Sequence, residues 1–121
     1  MTNSAGNLTL HLEGNLREFI GRRLGHVAFE RNRPAEFSST GVPVAELMRR
    51  IKEVRELVDG VVTAMNEEAL AASIPAEVLK VQVSAQQFLI HLYGHLNYHL
   101  GQIDYLRRIV SSSTSIELAG L

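Results

Sequence analysis

Hydrophobic residues recur along this chain at helical spacing in three long stretches, separated by segments that lose the period. Leu8, Leu12, Leu16, Phe19 and Leu24 stand three to five residues apart, with Glu13, Arg17, Glu18 and Arg22 between them, which predicts an amphipathic helix from Asn7 to about Leu24. Asn3 or Ser4 is suited to cap it and Gly25 to stop it. From His26 to Val42 the period disappears, and a charged cluster, Arg31-Asn32-Arg33-Pro34-Ala35-Glu36-Phe37, falls in what reads as a long connection. Pro43 fits the first turn of a second helix, in which Val44, Leu47, Ile51, Val54, Val58, Val61 and Met65 form the stripe to be buried, up to about Asn66. Glu46 and Arg50 can pair across one turn of it.

Ile74-Pro75 interrupts the pattern. Residues Val78 to Val83 alternate with period two, but the run is isolated and reads as an extended lead-in, not as part of a sheet. Ser84-Ala85-Gln86-Gln87 is a capping box for a third long helix to about Val110, and the serine-rich run that follows predicts a flexible tail over 111–121. The expected organisation is one all-α domain, 1–110, with no internal repeat.

Composition narrows the chemistry. The 121 residues, 45% hydrophobic, suffice for a single modest core. Twelve basic and 13 acidic side chains give a formal charge of −1, so there is no general attraction for nucleic acid or an anionic membrane, and neither is expected as a partner. With no cysteine, a disulfide framework, a thiolate metal site, a catalytic thiol and an iron–sulfur cluster are excluded, and any metal must be held by histidine, carboxylate or carbonyl groups. No apolar run approaches the ~18 residues that cross a bilayer, and the polar start, Met1 to Asn7, lacks the regions of a signal peptide; a cytoplasmic protein is expected.

His91, His95 and His99 repeat every four residues on the third helix, making a stripe in which the outer two lie about 40° to either side of His95. Phe88, Gln102 and Leu106 share that side, whereas Gln86, Tyr93, Asn97, Asp104 and Arg108 fall opposite, on the natural solvent face. The histidines are therefore expected to face the core, where an imidazole needs partners for both ring nitrogens. Neighbouring members of the stripe have Cβ atoms about 6 Å apart and can chelate one ion, but His91 and His99 are separated by about 12 Å of helix rise, so one pair must be chosen. His11 on the first helix is a candidate third ligand. The competing reading is a set of core histidines satisfied by backbone or carboxylate groups, and His91 is assigned to that class; His26 reads as an exposed loop residue.

The segments from Asn3 to Arg17, containing His11 and Asn15, and His95-Leu-Asn-Tyr-His99-Leu-Gly-Gln102-Ile resemble the DinB/YfiT-like superfamily over nearly the whole chain. The resemblance implies a four-helix bundle, often dimeric, whose metal is held by one histidine of the second helix and an HxxxH pair of the last; here these are His11, His95 and His99. It gives His91 and His26 no ligand role. It also implies that the first helix here corresponds to the family's second, leaving three long helices and a bundle either truncated or completed by a partner subunit. An open apolar face of that length favours a homodimer.

Relatives implied by the resemblance include thiol-dependent S-transferases and isomerases and metal-dependent hydrolases. The corresponding expectation is a small-molecule substrate acted on through a three-His site holding a divalent transition metal, Zn²⁺ or Ni²⁺, with water or a low-molecular-weight thiol as nucleophile. No Ser-His-Asp order or phosphate-binding glycine loop is evident, and Leu96 stands where the helical metalloprotease motif has glutamate. Gln102 and Asn15, each about a turn from a ligand histidine, are candidates to orient it, with helix–helix hydrogen bonds as the other reading. Arg31 and Arg33 are candidates to hold an anionic substrate or thiol cofactor, against a surface pairing with Glu36. Tyr98 and Tyr105 read as packing residues. The alternative function is a non-enzymatic metal-binding or protein-interaction bundle.

Overall fold

A computed structural model describes residues 3–76 and 79–111. The first helix, α1, runs over Ala5–Leu16 and continues without a break as a π-helical segment, Arg17–Leu24. Ser4 is its cap: the Ser4 hydroxyl accepts from Asn7 N–H at 3.1 Å, and the Asn7 side chain accepts from Ser4 N–H in return. Gly25 ends the helix in right-handed geometry, and the left-handed residue is His26, with φ of 56°. Gly25 is needed for space instead, since a β-carbon there would overlap Val61 and approach the Gly21 carbonyl at 2.9 Å.

The connection expected from His26 to Val42 contains a short helix, α2, over Arg33–Ser38. Asn32 caps it by accepting from Ala35 N–H, and Pro34 sits in its first turn, where a missing N–H costs nothing. α3 spans Val44–Thr63, with Pro43 outside it as the extended N-cap residue and not within its first turn. The Glu46–Arg50 pair forms, at 2.8 Å. The helix stops before Asn66, because the Asn66 side chain caps a separate short helix, α4, Glu67–Ala71. Of the expected stripe on α3 only Val54 is fully buried, while Val44 and Ile51 are exposed.

Strands β1, Ser73–Ala76, and β2, Val81–Ser84, pair antiparallel with Ile74 opposite Val83 and Pro75 opposite Gln82. The period-two run therefore does build a small sheet, contrary to the expected lead-in. A two-stranded ribbon has only edges, so proline is tolerated in it, and Ile74, Leu79 and Val83 gain burial against the core. The last helix, α5, spans Ala85–Ser111 behind the expected capping box, with Ser84 accepting from Gln87 N–H at 3.1 Å. The tail expected over 111–121 lies outside the described residues except for Ser111, which closes α5.

α1 is the central element, packed against α2, α3 and α5, while α5 also meets α4 and the hairpin. Phe19 and Ile20 from the π segment join Phe88 and Leu92 of α5 in the main core, with Phe19 and Phe88 edge-to-face at 5.4 Å. Because α1 is covered on several sides, even its polar positions Glu13 and Glu18 are buried, where they pair with Arg17 and Arg22 respectively. The fold is all-α apart from the hairpin, and no helix of the described residues is long and apolar enough to cross a membrane.

Candidate metal centre

The centre lies where α1 crosses α5. His11, His95 and His99 each bring one ring nitrogen to a common point, all within 4.8 Å of one another. The ε2 nitrogens of His11 and His95 face each other at 3.3 Å, close to the separation of about 3.3 Å between two imidazole nitrogens bound tetrahedrally to one ion at 2.0–2.1 Å. The His99 ring stands edge-on to both, with centroids 5.0 Å from His11 and 4.6 Å from His95. His11 is buried, whereas His95 and His99 are half-buried.

Hydrogen bonds to the second ring nitrogens fix which nitrogen is available. His11 Nδ1 donates to Glu36 Oε2 at 2.9 Å, and His99 Nδ1 donates to Gln102 Oε1 at 2.7 Å. Both acceptors require an Nδ1–H tautomer, so Nε2 carries the lone pair in each. Such outer partners are the usual means by which a protein orients a metal-binding imidazole. His95 differs: its Nδ1 is buried with no partner, so the neutral ring can donate Nε2–H to His11. The donor set and its outer partners fit a divalent transition metal. Burial lowers the His11 pKa, partly opposed by the Glu36 carboxylate, and burial, followed by the neighbouring imidazoles, lowers that of His95 to about 4. Both imidazoles are therefore neutral at physiological pH.

Glu36 is the participant the sequence reading missed. Expected only as a surface partner of Arg31 and Arg33, it is buried instead, and Arg31 binds it through two contacts, Nε to Oε1 at 2.7 Å and a terminal nitrogen to Oε2 at 3.0 Å. The Arg31–Glu36 pair thus exists inside the protein and commits Arg31 to the His11 side of the centre. Arg33 does not join it and lies over the Phe37 ring at 5.2 Å. The usable signal was Asn32-Arg-Pro-Ala-Glu, a capped helix start that places Glu36 in the first turn of α2.

Gln102 orients His99 from within the same helix and also donates to the Tyr98 hydroxyl at 3.5 Å. Asn15 is buried beyond His11 but makes no bond through Oδ1, so no orienting contact to the centre is formed by that atom. His91 is exposed and stacks beside Phe88 at 6.3 Å; it is not the buried, satisfied histidine expected, because the buried stripe of α5 follows Ala85, Phe88 and Leu92, and His91 lies about 60° around the helix from Phe88 and about 100° from Leu92. His26 is exposed, as expected. Tyr98 and Tyr105 are 65% and 62% exposed, and instead of packing in the core they line, with Leu8, Phe37, Leu106 and His99, a groove of about 780 Å³ beside the centre.

The chain belongs to the DinB superfamily, whose family model matches residues 2–103. No curated protein and no solved structure matches it.

Proposed function

We propose that this DinB-superfamily protein binds one divalent transition metal, Zn²⁺ or Ni²⁺, through His11, His95 and His99, and uses it in hydrolysis or thiol transfer on a small molecule. The observation that carries the reading is the convergence of three imidazoles from two helices, one of which, His99, lines an open groove. An ion held by these three imidazoles would supply Lewis acidity, by which water or a small thiol would become a nucleophile near neutral pH. The chain's own residues hold and orient: Glu36 and Gln102 keep His11 and His99 as Nδ1–H tautomers, and Phe37, Tyr98 and Tyr105 offer ring surface to an organic substrate. No cysteine is present, so a thiol nucleophile must come from solution. The test is metal-loaded protein incubated with small thiols and a panel of electrophiles and esters, beside His99→Ala. Turnover that requires both metal and His99 supports catalysis; metal binding without turnover supports the alternative of a non-enzymatic metal-binding or interaction protein.

A second copy of the chain is the proposed partner. A groove of about 890 Å³ runs between α3 and α5 over α1, with Leu16, Ile20, Val58 and Leu92 at its floor and the exposed Ile51, Val62 and Tyr93 along its sides. On its α3 rim Lys52 and Arg55 precede Glu56 and Asp59, all exposed and within about 100° of one helical face. A two-fold axis across antiparallel α3 helices sets the basic pair of one copy against the acidic pair of the other, so the rim is self-complementary.

A further inference from the structure

Gly14 stands in the interior of α1, where glycine is less favourable than alanine, and it faces α2. A β-carbon at this position would lie 2.9 Å from Cδ of Glu36, overlap its Oε1, and approach Arg31 Nε at 3.4 Å. The Glu36 carboxylate therefore occupies the space that any side chain at residue 14 would take. The same carboxylate is gripped by Arg31 and accepts from His11 Nδ1. Asn7, one turn before His11, secures α2 from the other side by donating to the carbonyls of Glu36 and Ser39 at 3.1 and 2.9 Å. We propose that Gly14, Arg31 and Glu36 form a positioning clamp for the His11 imidazole: bare backbone at Gly14 lets the carboxylate seat against α1, Arg31 fixes its two oxygens, and Glu36 holds His11 with Nδ1 protonated and Nε2 turned to His95. The consequence for metal affinity rests on the three-histidine reading above; the effect on the imidazole does not.

The experiment combines zinc titration against a competing chelator with nitrogen NMR of the histidine rings in the metal-free protein. Gly14→Ala and Glu36→Gln are each expected to weaken zinc binding by about 10–100-fold and to move His11 away from a pure Nδ1–H tautomer. In an Arg31→Met/Glu36→Ala background no carboxylate remains to be displaced, so adding Gly14→Ala should change affinity by less than about twofold. An equal loss from Gly14→Ala in both backgrounds would mean that it acts through the helix alone, and the clamp would be overturned. So would a Glu36→Gln protein with wild-type affinity and an unchanged His11 spectrum. If the wild type takes up no zinc, the metal reading falls while the ring spectra still decide the clamp: the same His11 tautomer in every variant contradicts it.

Discussion

The ε2 nitrogens of His11 and His95 meet at 3.3 Å although the residues stand 84 positions apart in the chain. One contact thus ties the first helix to the last and places two imidazoles where a second positive charge is disfavoured.

That disfavour has a sign in stability. The folded-state pKa of His95 is lowered to about 4, first by burial and then by the neighbouring imidazoles, against about 6.5 in the unfolded chain. Between those values the unfolded chain binds more protons, so the contribution is fully present above about pH 6.5 and is lost as pH falls toward 4. Urea midpoints of the metal-free protein should fall from pH 7 to pH 4.5, and more steeply than those of His95→Gln. Parallel profiles for the two proteins would show that His95 is not protected from protonation.

The Gln102–His99 hydrogen bond, at 2.7 Å, orients the imidazole on the more exposed side of the centre. Gln102→Leu should therefore weaken metal binding by about 10–100-fold, with the helical circular dichroism unchanged. Competitive zinc titration measures it, and wild-type affinity in the variant would remove Gln102 from the site.

The groove between α3 and α5 leads to an expectation for mass. Light scattering at micromolar concentration should give twice the chain mass of 13.4 kDa. Lys52→Glu/Arg55→Glu sets four acidic side chains against four and should yield monomer, and mixing it with Glu56→Lys/Asp59→Lys should restore a dimer. A wild-type monomer at every accessible concentration, or a charge-reversed protein that still dimerises, contradicts this arrangement.

Much of the architecture is legible in the sequence because it rests on periodicity and caps. The three long helices follow their apolar spacing, and Ser4 and Ser84 cap as their sequences indicate. The four-residue step of the histidine stripe sets a chelating geometry within one helix and His11 offers a third imidazole; fixing the set as His11, His95 and His99 required the family resemblance, since no local pattern encodes a crossing of α1 and α5. What sequence could not supply is tertiary. α2 has six residues, too few to display a period, so Glu36 read as a surface charge although it is buried against His11. Pro75 conceals the hairpin, and a wheel centred on His95 puts His91 on the core side, whereas the buried stripe of α5 follows Ala85, Phe88 and Leu92.

The central claim is a single ion held by three named imidazoles, and zinc stoichiometry tests it most directly. Isothermal titration of the metal-free protein, with elemental analysis after dialysis, should give about one Zn²⁺ per chain for wild type and for His91→Ala, and none for His11→Ala, His95→Ala or His99→Ala. Zinc retained at full stoichiometry by His99→Ala, or lost equally by His91→Ala, would contradict the account.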